Sequence, residues 1–381
     1  MKKEHWTYHW IGLLLLGVAA LLTACSDDAD TTVEETNVLQ LVTTILGMPE
    51  EASLDTRAIS IPDEYKQYTG SSIIGVYLTT ADDETSKQRT FYYADNKWNS
   101  LVSVKNDITY YIYGYMPVTD QVSCTISTLE DAQDYSEGAK LIFNQISPLM
   151  TEDICVITGV QDVPVTGNPP QPSSEIDLTP GLFQYRGKAS GNNYVNLMLD
   201  HLYSSVQLKM QVDAKYSQLR TIKLKKVKLK STLTDLYDCH GEVTLEKNKA
   251  CTINWTQDTE HSATEKSITL FTSDSEEGET LKNAELQDPI VIDGYFAPFS
   301  TIANSLVLEC HYDVYDKNVT DEKPDGNLVR KNCVAENKLS NSKLTLSVGT
   351  GKRTVLTLTV QPTYLYVLSD PDLDNPTIQV E

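Results

Sequence analysis

The chain has 381 residues and carries 31 Lys and Arg against 53 Asp and Glu, a formal net charge of −22. That imbalance argues against nucleic acid or an anionic membrane surface as a partner. Tyr (21) far outnumbers Phe (6). With Thr and Val plentiful and no long helical-period run, the composition favours strands, in a chain long enough for two domains with their own cores.

Lys2 and Lys3 precede an apolar run from Ile11 to Leu22. The run is too short for the roughly 20 residues that span a bilayer as a helix, so it reads as a secretory signal peptide. It ends at Leu21-Leu22-Thr23-Ala24-Cys25, which resembles a bacterial lipobox and makes Cys25 the expected lipidation site. The acidic run Ser26-Asp27-Asp28-Ala29-Asp30 resembles a surface-export signal of lipoproteins, or is a simple solvated tether.

From Val38 to Gly47, Leu39, Leu41 and Ile45 share one face at period two with Thr43 between them, which predicts a strand. Met48-Pro49 ends it, and Ala52 to Arg57 reads as an exposed loop, where proteolysis concentrates. No Lys, Arg or His lies between Cys25 and Arg57. An arginine-specific protease therefore has a single address there, between Arg57 and Ala58, and cutting it would detach the strand.

Beyond the cut, strands are predicted at Ser72–Thr79, Thr90–Ala94, Ile108–Tyr115, Phe143–Ile146 and Ile154–Gly159, with a turn at Asp95-Asn96-Lys97. Val102 and Val104 alternate as well. The segment 159–180, with five prolines, reads as a surface loop or crossover. A second half begins near Tyr194, and Val206, Leu208, Met210 and Val212 alternate without error. In Thr221–Lys230, Ile222 and Leu224 have one parity and Val227 and Leu229 the other. A strand that keeps one face buried must insert a residue at Lys225-Lys226, which predicts a bulge. Further strands are expected at Val291–Pro298, Leu306–Tyr315, Leu344–Val348 and Thr354–Val360, with Gly349-Thr350-Gly351-Lys352 as a hairpin turn between the last two.

Six cysteines remain after Cys25: Cys124, Cys155, Cys239, Cys251, Cys310 and Cys333. In an exported chain they permit disulfides, with Cys239 and Cys251 flanking one predicted hairpin, or they are buried thiols that pack as small hydrophobes. No HExxH, GxSxG, Cys–His signature or glycine-rich nucleotide loop occurs, so neither catalysis nor a metal or other cofactor is expected. His201, beside a strand, reads as a structural residue. Asp370, Asp372, Asp374 and Glu381 fit a calcium-loop count, but Asn375 stands where that loop needs Gly.

The run Phe91-Tyr92-Tyr93-Ala94-Asp95-Asn96-Lys97-Trp98 followed by Ile108 to Pro117 resembles the N-terminal half of the fimbrillin family. Leu199-Asp200-His201-Leu202 leading into Val206–Val212, Tyr216 to Lys223, and the closing strands around Gly351 are similar to the rest of that family. The resemblance implies an all-β chain of two transthyretin-like β-sandwiches in tandem, made as an outer-membrane lipoprotein and assembled into type V pili at the cell surface. On that reading residues 1–25 are the signal peptide and 26–57 a propeptide with a removable strand. The N-terminal sandwich is then 58–193 and the C-terminal one 194–381, with a donor-strand tail at 363–381. In the tail Leu365 and Val367 share a parity, and Ile378 and Val380 alternate with polar residues. The implied partners are other copies or related pilins in a head-to-tail polymer, the outer membrane through lipid on Cys25, and the arginine-specific protease. A tip or anchor subunit of the same system is the alternative, as is a surface glycan-binding lipoprotein built on Trp98 and Trp255.

Overall fold

The structure is a computed structural model. It describes residues 37–48, 72–83, 86–167, 171–172, 179–189, 191–262, 265–286, 288–320, 326–341, 344–364 and 371–380. Cys25, Arg57, Ala58, Leu365 and Val367 lie outside the described residues. Among those described, no helix is long and apolar enough to cross a membrane.

In chain order the strands begin with β1 (Gln40–Ile45), β2 (Ile73–Thr79), β3 (Gln88–Ala94), β4 (Lys97–Asn99), β5 (Thr109–Met116) and β6 (Ser123–Ser127). Next come β7 (Gly138–Ile146), β8 (Leu149–Met150), β9 (Cys155–Asp162), β10 (Val165–Thr166), β11 (Gln171–Pro172), β12 (Gln184–Arg186) and β13 (Tyr194–His201). They continue with β14 (Ser204–Val212), β15 (Arg220–Ser231), β16 (Tyr237–Glu246), β17 (Thr252–Ser262), β18 (Ser267–Thr272) and β19 (Glu279–Thr280). The last are β20 (Ile290–Phe296), β21 (Leu306–Asp316), β22 (Leu328–Lys338), β23 (Arg353–Tyr364) and β24 (Pro371–Val380). The chain is thus all-β, and among the described residues helix is confined to one α-helical turn at Ser300–Ser305 and short 3-10 turns such as Tyr216–Gln218 and Ala284–Leu286.

Four large sheets form two layered pairs. The first has the order β1-β13-β9-β5-β2-β3-β4, with β12 added beside β5. It faces β17-β16-β7-β6, where Tyr115 meets Phe143 edge-on at 5.4 Å and Tyr77 donates to the Cys124 carbonyl at 3.0 Å. The second pair is β24-β23-β14-β20-β8 against β18-β15-β21-β22, joined where Tyr312 donates to the Pro376 carbonyl at 3.1 Å.

This arrangement differs from a division at 193/194. β13 lies in the first sheet between β1 and β9, the β16–β17 hairpin pairs with β7, and β8 pairs with β20. The two halves therefore exchange strands. Periodicity identifies strands but carries no information about which edge each one joins.

Most predicted strands are present, and two features of the C-terminal half are instructive. In β15 the pairing with β21 shifts register between Leu224 and Lys226, where the parity change requires an extra residue. The bulge lets Ile222, Leu224, Val227 and Leu229 all point into the core. By contrast, residues 344–348 form no strand. Ser347 N–H donates to the Thr354 hydroxyl, and a side chain there takes the place of a ladder bond. The turn at Gly349–Lys352 instead hands β23 to a parallel pairing with β14.

The lysines of β15 form a ladder of ion pairs. Lys223 meets Glu277 at 2.7 Å, Lys225 meets Asp313 at 2.6 Å, and Lys228 and Lys230 both meet Glu309. Asp313 is fully buried and also accepts from the Asn332 N–H at 2.6 Å. Removing its cation strands a buried charge. Lys225→Met should therefore lower unfolding free energy by about 2–4 kcal/mol in a denaturant titration, with part of the loss recovered in Lys225→Met/Asp313→Asn.

Candidate functional site

β1 is an edge strand that lies parallel to β13, in the register Gln40↔Tyr194 through Ile45↔Leu199. With its flanking residues it buries Leu39, Leu41, Ile45, Leu46 and Met48. Each such side chain is worth roughly 1.5–3 kcal/mol in water exclusion. Leu39, Leu41 and Ile45 share the inward face, as their spacing predicts. The start of the segment is tied to the 102–104 stretch, with Leu39 N–H donating to the Val102 carbonyl and Val104 N–H to the Asn37 carbonyl. Midway, the Trp98 indole N–H donates to Thr43 Oγ1 at 2.9 Å.

The end of the segment is held differently. Leu46 N–H donates to the Leu199 carbonyl at 2.9 Å, and the Leu46 carbonyl accepts from His201 Nε2 at 2.5 Å. His201 Nδ1 is bonded to Asp153 Oδ2. Both side chains are buried, with 1% and 0% of their surface exposed. The Cys155 thiol lies 3.5 Å from the same carboxylate oxygen and 3.6 Å from Nδ1.

Burial opposes a charged imidazole, but the Cys155 sulfur and the Asp153 carboxylate outweigh it, and His201 titrates well above its ordinary 6.5. The geometry agrees, because each ring nitrogen faces an oxygen acceptor and each must present a proton. Asp153, Cys155 and His201 are also the one group among the described residues whose O, S and N atoms converge as metal ligands would. Their own hydrogen bonds fill the space between them, so we read them as a polar clamp. Nucleophilic use of Cys155 is disfavoured for the same reason, since Asp153 occupies the ring nitrogen nearest the thiol.

His201 reads as structural from sequence, and its place confirms a structural role. Its link to the leading strand was not legible there, because 155 positions separate it from Leu46. The described part of the tail, Pro371–Val380, is docked on its own chain. β24 pairs antiparallel with β23, with Ile378 opposite Val360 and Val380 opposite Leu358. Ile378 is buried and Val380 half-buried, and like β1 the tail strand sits on a sheet edge. Arg220 bonds Asp374 at 2.6 Å, and Tyr216 donates to the Leu373 carbonyl at 2.6 Å.

The six described cysteines are free thiols. Cys239 lies opposite Gln257, not Cys251. Burial pushes the thiols of Cys124, Cys239 and Cys310 up to about 12. Neither Trp98 nor Trp255 makes an open platform. Trp98 is buried against Tyr93, and Trp255 is half-buried against Tyr203 and under Gly241.

No family model matches the chain, and no curated protein matches it in sequence. Solved structures do resemble it. A fimbrial protein from Bacteroides vulgatus is 13% identical, with a TM-score of 0.39, over 90% of this chain and 98% of that one. The fimbrial anchor protein Mfa2 from Porphyromonas gingivalis is 12% identical, with a TM-score of 0.26, over 90% of this chain and 96% of that one.

The clamp predicts a pH dependence. A group whose folded pKa is raised contributes fully below its unfolded value, near 6.5, and loses that contribution as pH climbs through the folded value. The protection factor of the Leu46 amide should hold at pH 6 and fall about tenfold per pH unit once His201 deprotonates. Protection of β14 amides should stay level over the same range.

Proposed function

We propose that this chain is a structural subunit of a type V pilus, most simply one of the stalk. It would be exported as a lipoprotein on Cys25, trimmed between Arg57 and Ala58, and polymerised by donor-strand exchange. The observation that carries the reading is the placement of β1. It is an edge strand, joined to the rest of the fold through the segment that contains Arg57, and it covers apolar side chains and an otherwise open backbone edge on β13. Cutting after Arg57 would leave it held by non-covalent contacts alone. Its departure would open a groove with both pockets and unpaired main-chain groups, which a strand from another copy can fill. Donor and acceptor surfaces differ, so the contact is head-to-tail and propagates as a filament.

The tail supplies the donor in this scheme. At home its described residues bury Pro376 and Ile378, whereas the groove takes five apolar side chains of β1 and its flanks. Moving from the first site to the second would gain on the order of 5 kcal/mol of apolar burial before ordering costs. Docking on β23 would then be a storage position until a groove falls vacant. An anchor subunit, which keeps its leading strand and its lipid, is the second reading, and the home-docked tail is the observation that favours it. A glycan-binding role is weakened by the positions of Trp98 and Trp255.

Arg57→Ala should leave the protein lipidated and monomeric. Filament ladders of wild-type length from that variant would exclude the cut at this site. Deleting residues 363–381 should stop polymer growth while the trimmed chain still folds. In both cases N-terminal sequencing of surface-exposed wild-type material should begin at Ala58.

A further inference from the structure

We propose that His201, oriented by Asp153, selects which strands the groove beside β13 accepts: an occupant must reach the position of Leu46 and arrive there with its carbonyl turned toward β13. The replacement of β1 by another strand rests on the function proposed above. The clamp on β1 itself does not.

Where β1 ends, the parallel ladder changes character. Ile45 is the last residue in register, opposite Leu199, and Leu46 N–H still donates to the Leu199 carbonyl. In a regular parallel ladder the main-chain N–H of His201 would close the next bond to Leu46. That N–H is instead turned to Asp200 Oδ1 at 2.9 Å, and the imidazole supplies the bond through Nε2. A side chain has replaced the backbone as the donor.

The exchange makes the site discriminating. Asp153 fixes Nδ1 and thereby the ring plane, so Nε2–H points to one place in a dry environment. An occupant displaced by one residue turns its carbonyl there away from β13, because strand geometry has period two. It leaves a buried donor of a charged ring unpaired. A strand ending before that position leaves the same donor bare. The bond goes to a main-chain oxygen, so the requirement is one of reach and parity and is blind to side-chain identity. A second copy of this chain could meet it with any residue of its own tail.

The test uses the uncut chain first. In Asp153→Asn/His201→Phe, which removes the clamp without leaving a lone charge, hydrogen exchange at the Leu46 amide should be at least tenfold faster than in wild type. The β14 amides of Leu208 and Met210 serve as the fold control. Wild-type protection at Leu46 in a variant whose control amides are also unchanged overturns the clamp. If the control amides lose protection too, Asp153→Asn/His201→Gln is used in its place, since the Gln amide can still reach the Leu46 carbonyl and no buried carboxylate is left without its cation. Protection at Leu46 should then be restored, and faster exchange confined to Leu46 in that variant overturns the assignment.

The second arm uses chain cut after Arg57 and a synthetic peptide copying Val38–Met48. Replacing the Leu46 carbonyl of that peptide by a thiocarbonyl, a weaker acceptor, should cut affinity at least fivefold for the wild-type chain and not at all for the double variant. Equal losses in both overturn selection by His201. A cut chain that binds neither peptide overturns the vacant groove and the selection with it, while the exchange result still decides the clamp.

Discussion

β13 is buried almost along its whole length, and its outer main-chain edge is satisfied by one short strand from the start of the chain. Strand edges in the interior of a fold cannot be left open, because each unpaired N–H or C=O without water costs free energy. Every property of the candidate site descends from that constraint. β1 must be present for the first sheet to be complete, yet it reaches the rest of the fold through a segment containing the first arginine after Cys25. A covalent cut in that segment converts a structural strand into a dissociable ligand. The chain then carries its own vacancy, which a copy of itself can fill.

The two ends of the chain are alike in this respect. β1 closes one sheet and β24 closes another, and both are edge strands. They differ in depth. β1 and its flanks deliver a compact set of apolar side chains and end in an ionic clamp, whereas the described part of the tail adds to its ladder with β23 only two buried side chains and polar contacts from Arg220, Tyr216, Tyr312 and Arg330 to Asp374, Leu373, Pro376 and Asn375. Several of these are partly exposed, and exposed polar pairs contribute little each. The shallower strand is the one better suited to leave home.

Much of this was legible in the residues. Val206, Leu208, Met210 and Val212 alternate with polar residues in β14 although Ser204, Ser205 and Gln207 on it are buried as well, and the phase change in β15 announced its bulge because only an added residue reconciles Ile222 and Leu224 with Val227 and Leu229. The inward face of β1 followed from Leu39, Leu41 and Ile45. β13 shows why other parts were missed. With both faces covered, Val195, Asn196, Leu197 and Met198 are all buried, and a strand without a wet face has no period-two signal. The Leu344–Val348 segment is the opposite case, since it alternates yet forms no strand, because Ser347 bonds to a side chain. The clamp was hidden for a further reason. Asp153 and Cys155 stand far from His201 in sequence, and only the pairing of β9 with β13 brings them together.

Which segment lies against β13 in assembled material is the decisive question. A benzophenone amino acid in place of Tyr194, the half-buried partner of Gln40 at the start of that edge, would mark its neighbour on irradiation. In protein purified from assembled, trimmed material, the account predicts adducts to the C-terminal tail of another copy. Adducts to residues 38–48 of the same chain, with the tail still beside β23, would contradict it.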